Sequence, residues 1–113
     1  MNPLTHSKIL VIGNDPALTY LIVRYAQRGG YDITSAAKMP PPVEARALHP
    51  TAIIFQSVAE LEAAHPIMAD LANDDLSILV CSSVADEARA RELGADHCLL
   101  HPLTYDCMLA ALT

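Results

Sequence analysis

Side chains able to do chemistry are thinly spread along this chain, and their densest group is His97, Cys98 and His101. Imidazole and thiolate are good zinc ligands, but His97 and His101 lie four apart on what reads as a strand and its exit loop. Alternation along a strand sends Cys98 to the face opposite His97, so the three do not converge on one ion. The cysteines, Cys81, Cys98 and Cys107, include no Cys-x-x-Cys pair. Without a secretory signal ahead of them they are expected as reduced, mostly packed thiols. No nucleophile, base and oxyanion donor are brought together by a recognisable spacing, and neither a Gly-rich phosphate loop nor a dinucleotide fingerprint is present. An enzyme is therefore not expected, and the question becomes which elements position the polar residues that remain.

Composition limits those elements. With 52% hydrophobic and 18% charged residues the chain is too apolar for disorder and fits a globular fold with much of its sheet buried on both faces. At 113 residues it is expected to be one domain spanning residues 1–113, with no output domain in the chain, able to bury roughly two-thirds of its unfolded surface. The formal charge is −6, and Ser57 to Asp75 carries five acids and no base, so a phosphate backbone would be repelled. The apolar runs are far shorter than the ~20 residues needed to span a bilayer, and no basic segment opens a leader. A cytoplasmic location is expected.

The pattern along the chain alternates strand and helix five times. Lys8 to Ile12 is a β-branched run, followed at once by Gly13-Asn14-Asp15-Pro16, an acidic N-cap with proline at the first helical position. Leu18, Leu21, Ile22 and Tyr25 then form a helical apolar stripe that Gly29-Gly30 ends. Tyr31 to Ala37 reads as a second strand; Pro40-Pro41-Pro42 breaks the chain before a brief helix, Val43 to Leu48. Thr51 to Phe55 and Ser77 to Cys81 have the character of buried parallel strands. Between them Val58 to Ala72 is helical material that His65-Pro66 is expected to interrupt, giving a loop and a later helix or two short pieces. Asp86 to Leu93 is a charged helix stopped by Gly94, His97 to Leu100 a fifth strand, and Tyr105 to Thr113 a last helix. Apolar residues surround that last helix, as they would if it were buried on more than one side, faced a partner, or were cut before its polar turns.

Three segments, in this order and spacing, resemble the receiver domains of two-component response regulators. Lys8-Ile9-Leu10-Val11-Ile12-Gly13-Asn14-Asp15-Pro16 is similar to the family's opening strand, acidic cluster and proline-started helix. Pro50-Thr51-Ala52-Ile53-Ile54-Phe55-Gln56 resembles the strand that ends in the phosphoacceptor aspartate. Gly94-Ala95-Asp96-His97-Cys98-Leu99-Leu100-His101-Pro102 resembles the family's Gly-Ala-Asp, strand and Lys-Pro ending, with Ile78 to Ser83 fitting the strand before it. The resemblance covers nearly the whole chain. It implies an α/β, flavodoxin-like (CheY-like), doubly wound (βα)5 three-layer sandwich with parallel strand order 2-1-3-4-5 and a pocket at the carboxyl ends of strands 1, 3, 4 and 5.

The resemblance also implies which residues should do the family's chemistry, and here they do not match. Gly13 and Asn14 stand where two neighbouring acids hold a divalent cation, leaving Asp15 one place later as the lone carboxylate. Gln56 stands at the phosphoacceptor, and an amide forms no acyl phosphate. His101 replaces the lysine and is not a permanent cation at neutral pH; Ser82 keeps the family's hydroxyl. Magnesium binding is expected to be lost or weak, with no other cofactor. A lysine left beside missing carboxylates would be an unpaired, partly desolvated charge, so acid and base are expected to go together. Gly13, Asn14, Asp15, Gln56, Ser82 and His101 then form either a neutral pocket whose Asn14, Gln56, Ser82 and His101 satisfy one another or a water, or a set of tolerated surface replacements. Cys98 takes the place of the family's switch aromatic. Helix 4 looks about a turn short.

The expected function is that of an atypical, pseudo-receiver domain in phosphorelay signalling that acts by phosphorylation-independent protein contact. Its expected interface is the last strand and helix, with Cys98, Tyr105, Met108, Leu109 and Leu112. The partner would be a histidine kinase, an output domain, another signalling protein or a second copy, with no direct nucleic acid or membrane contact. Two alternatives stay open: a residual phosphoacceptor switch on Asp15 or a nearby serine, Ser57 or Ser82, and a small-ligand sensor in the former phosphorylation pocket.

Overall fold

The computed structural model describes residues 7–71 and 76–112. Five strands, β1 (Lys8–Ile12), β2 (Asp32–Ala36), β3 (Ala52–Phe55), β4 (Ser77–Ser82) and β5 (His97–Leu100), alternate with helices α1 (Pro16–Arg28), α2 (Pro42–Ala47), α3 (Val58–Asp70), α4 (Glu87–Glu92) and α5 (Tyr105–Leu112). All strand pairs are parallel, in the order β2-β1-β3-β4-β5. This is the doubly wound flavodoxin-like order, and its crossovers place helices on both faces.

Strand alternation divides the core in two. Leu10, Ile12, Ile53, Phe55, Ile78 and Val80 point to the side of α2, α3 and α4, where they meet Ala45, Leu61, Ala64, Leu71, Ala90 and Leu93. Ile9, Val11, Ala52, Ile54, Leu79, Cys81 and Leu99 point to the other side, against Ile22, Ala26 and Met108. Both faces of β1, β3 and β4 are covered, so these strands read as continuous apolar runs rather than alternating ones. The Asp96 carboxylate accepts the Ile78 N–H at 2.8 Å, and the Asp96 N–H returns a bond to the Ile78 carbonyl at 2.7 Å, which fixes the entry of β5 beside β4.

α1 begins as its sequence requires. Asp15 is the N-cap, its carboxylate accepting the Leu18 N–H at 3.1 Å, and Pro16 occupies the first turn, where a missing N–H costs nothing. α3 departs from expectation: it runs without interruption through His65 and Pro66. Leu61, Ala64, Met68 and Leu71 fall at i, i+3, i+7 and i+10 and pack on one core cluster, and that burial outweighs the lost bond from position 66. Pro66 and Glu62, whose carbonyl loses that donor, are both exposed, so water can serve the carbonyl. Ser57 caps α3: its hydroxyl accepts the Glu60 N–H and donates to the Glu60 carboxylate. The charged helix expected from Asp86 opens instead as a 3-10 turn, Val84–Asp86, leaving α4 only six residues. The expected element ends at Ala72 and Thr113 lie outside the described residues.

The last helix is mostly a core element. Met108 is 1% exposed and sits among Ile9, Val11, Ile54 and Leu79, while Ala111 and Leu112 pack on the same cluster. Cys98 is half-buried under the start of α4. Met108 therefore cannot form the expected interface in this fold, because a partner could reach it only after α5 had come off the sheet. Met108→Ala should lower unfolding free energy by about 2–5 kcal/mol in urea titration, and the half-buried Leu109→Ala should cost less.

Burial also pushes the Cys81 thiol up to about 12, from an ordinary value of 9.0. Its neutral form is thus favoured in the native state, and the stability this contributes is complete below pH 9.0 and lost as pH rises toward 12. Wild type should accordingly lose stability over that range more steeply than Cys81→Ala, measured by urea midpoints at successive pH values.

Candidate functional site

Parallel register decides which residues meet at the carboxyl edge of the sheet. Ile12 lies beside Phe55, so Gly13 and Gln56, the next residue of each strand, are neighbours. The Gln56 N–H donates to the Ile12 carbonyl at 2.9 Å, and the Gly13 N–H to the Ala36 carbonyl at 2.9 Å, extending both ladders by one bond. Ser82 ends β4, and His101 follows β5. The residues singled out by the sequence thus share one edge of the sheet.

They do not form the expected network. Gln56 is 5% exposed and turns its side chain toward α1. Its Oε1 accepts the Asp15 N–H at 2.9 Å, and its Nε2 donates to the Thr19 hydroxyl. One carboxamide thereby ties the end of β3 to the cap and first turn of α1, with its acceptor and a donor both engaged. Asn14 and His101 are exposed. The Ser82 hydroxyl, 4% exposed, has no hydrogen-bond partner among the described residues. The four amide, hydroxyl and imidazole groups are therefore not mutually satisfied: Gln56 finds its partners on α1, and Ser82 is left without one.

Gly13 is what allows this packing. Its φ is +143°, a region that L-residues rarely adopt, and a Cβ there would sit 2.5 Å from Gln56 Oε1 and 2.7 Å from Gln56 Cβ and Cδ. The glutamine occupies the space that any side chain at position 13 would need. Thr19 completes the unit. The sequence reading passed over Thr19 because it lies off the apolar stripe of α1; the signal available was its place one turn inside a helix that starts directly after Gly13.

Asp15, the one carboxylate, is committed to capping α1 through Oδ1. Among the described residues no three His, Cys, Asp or Glu side chains are grouped to hold a metal, and His97 and Cys98 lie on opposite faces of β5 as alternation requires.

None of the family models and none of the curated proteins compared with the sequence matches it. Solved structures do. The chemotaxis response regulator CheY4 of Vibrio cholerae superposes with a TM-score of 0.72 at 17% identity, over 96% of this chain and 97% of that one. The receiver domain of a sensor histidine kinase from Pseudomonas aeruginosa, with magnesium in its active-site cleft, gives 0.74 at 17%, over 96% and 95%. A response regulator of Burkholderia pseudomallei carrying a phosphorylated aspartate, a calcium ion and citrate gives 0.70 at 27%, over 95% of this chain and 66% of that one. The chain has the receiver-domain fold. Within it the carboxyl edge holds Gln56, folded over Gly13.

The tie can be measured through its parts. Gly13→Ala should destabilise by more than about 1 kcal/mol, and by more than Gly30→Ala. Gly30 also has a positive φ, of 84°, but nothing lies within 4 Å of a Cβ built there, so the difference in urea midpoint reports the contact with Gln56 together with the more extreme φ at position 13. Thr19→Val should cost about 1–3 kcal/mol, because it leaves the buried Gln56 amide without an acceptor.

Proposed function

We propose that this chain is a signalling domain of receiver fold that works by protein–protein contact without being phosphorylated. The observation that carries this reading is the Gln56 carboxamide, bonded at both ends and packed over Gly13. Phosphoryl transfer to a receiver-like edge needs an anionic oxygen to attack phosphorus and a hard cation to neutralise the charge that develops. Gln56 offers an amide to the first requirement. For the second, position 13 has no side chain, Asp15 Oδ1 already accepts the Leu18 N–H, and Gln56 Oε1 already accepts the Asp15 N–H. This donor set does not fit magnesium.

The solved relatives mark the contrast. One holds a phosphoaspartate with calcium and another holds magnesium in its cleft, whereas here a neutral side chain fills the corresponding edge. Under this reading the fold is kept as a scaffold for surfaces, and the partner is a protein, whether a kinase, an output domain, another signalling protein or a second copy. No helix among the described residues is long and apolar enough to cross a membrane, and the domain is taken to act in the cytoplasm.

Titration with magnesium and beryllofluoride, a phosphoryl mimic, followed by amide NMR, should leave Gly13 to Asp15 and Gln56 unmoved. Intact-mass measurement after incubation with acetyl phosphate should show no added phosphoryl group. Saturable shifts at Gln56, or a mass increase abolished by Asp15→Asn, would defeat the reading.

A further inference from the structure

We infer that the outer face of α1, with Tyr20, Arg24 and Arg28 and the neighbouring Tyr105 of α5, is the docking surface, and that it takes an acidic segment of another protein. The inference rests on the proposed reading that the domain works by protein contact.

Among the described residues the five arginines fall into two groups. Arg89 pairs with Glu62 at 2.6 Å and with Glu92 at 3.5 Å, Arg91 pairs with Glu87 at 3.4 Å, and Arg46 donates to the Asp70 carbonyl at 2.5 Å. Arg24 and Arg28 meet no carboxylate. Each lies over a tyrosine ring instead: Arg24 is 5.7 Å from the Tyr20 centroid and donates to its hydroxyl at 2.9 Å, and Arg28 is 4.2 Å from the Tyr105 centroid. Tyr25 holds Tyr105 edge-on at 5.8 Å. Each guanidinium thus rests beside a ring with most of its donors still available.

Tyr20, Arg24 and Arg28 recur every four residues, so they form one stripe along the helix. Tyr20 is 62% exposed, and beside it a shallow groove of about 440 Å³ runs between α1 and the end of β2, lined by Asn14, Thr19 and Ser35 among others. Tyrosine and arginine side by side on a surface are residue types enriched at the hot spots of protein interfaces. Beyond Asp15, α1 carries no acid, in a chain of net charge −6.

Charge complementarity selects the occupant. A second copy docked about a two-fold axis would set this stripe against itself, arginine against arginine. Docked head to tail it would offer Glu62, Glu87 and Glu92 only by breaking their existing salt bridges, and other exposed acids, such as Asp32, Glu44 and Asp106, stand singly on separate elements. A nucleic acid draws its affinity from many cations, and the stripe has two. Two guanidinium groups one turn apart, flanked by aromatic rings, match two carboxylates and an apolar side chain on a short protein segment.

The test is a titration of the whole domain with a short glutamate–leucine peptide, followed by NMR. Saturable shifts should centre on Tyr20, Arg24, Arg28 and Tyr105, weaken several-fold when salt rises to about 0.5 M, and vanish in Arg24→Glu/Arg28→Glu. Both positions are exposed, so that variant should keep an otherwise unchanged amide spectrum; Arg24→Gln/Arg28→Gln supplies the charge-neutral check. Shifts confined to α3 and α4, equal binding by the double variant, concentration-dependent self-association through this stripe, or preference for a single-stranded DNA oligonucleotide would each overturn the inference. No shift anywhere with the peptide, alongside a silent beryllofluoride titration, would sink the surface while sparing the reading it rests on. A responsive beryllofluoride titration would sink the reading itself.

Discussion

A carboxamide is one of the few side-chain groups that can accept and donate along one plane, and the carboxyl edge of this sheet is arranged around that property of Gln56. Its oxygen holds the Asp15 N–H and its nitrogen finds the Thr19 hydroxyl. The side chain reaches both only by lying across Gly13, where a Cβ would be as close as 2.5 Å. The loop after β1, the start of α1 and the end of β3 are therefore one mechanical unit. A receiver that used a cation would join these segments through charge and ligand geometry; here uncharged hydrogen bonds join them, and a buried amide with both ends engaged carries no desolvated charge. The pair also constrains what sequence the edge can hold, since a side chain at position 13 and a glutamine so folded at position 56 compete for one volume.

Much of the architecture was legible in the residues because it rests on local rules. The β-branched runs gave the strands, Asp15-Pro16 gave the start of α1, and β5 runs from His97 to Leu100 as read. The strand order came from resemblance and not from periodicity. One misreading and one choice left open turn on the same physics, which is that tertiary burial overrides a local signal. His65-Pro66 looks like a break, but the stripe Leu61, Ala64, Met68, Leu71 spans it and the sheet holds the helix straight through. The apolar surround of α5 fits burial as well as a partner face, and burial claims much of it: α5 lies against the sheet and α1, and Met108 is consumed by the core.

The candidate site was legible as a set of positions and not as a set of bonds. Register alone brings Gly13 beside Gln56, and the uncharged character of Gly13, Asn14 and Gln56 follows from residue types. Which way a glutamine side chain turns depends on a hydroxyl one helical turn away and on an empty Cβ position, and neither is visible as a pattern in one sequence. The aromatic–cationic stripe on α1 was missed for a related reason. Tyr20, Arg24 and Arg28 look like an ordinary solvated helix face until the other arginines are seen to be engaged with carboxylates and carbonyls.

Ser82 shows what the turn of Gln56 toward α1 does to communication across the domain. Its hydroxyl is buried without a partner among the described residues. Coupling between two regions needs a bistable element that both can bias. A bond from position 56 to position 82 would be the shortest such link from β3 toward β5, because Ser82 lies beside Leu100 in the sheet. Among the described residues Gln56 makes its side-chain bonds to α1 instead. Events at the loop after β1 can then bias α1 directly, through Asp15 and Thr19, while they reach β5 only through the backbone ladders of β3 and β4. A surface on α1 is thus joined to this edge by side-chain bonds as well as by the fold, so a partner that senses the state of this edge would do so most directly through α1.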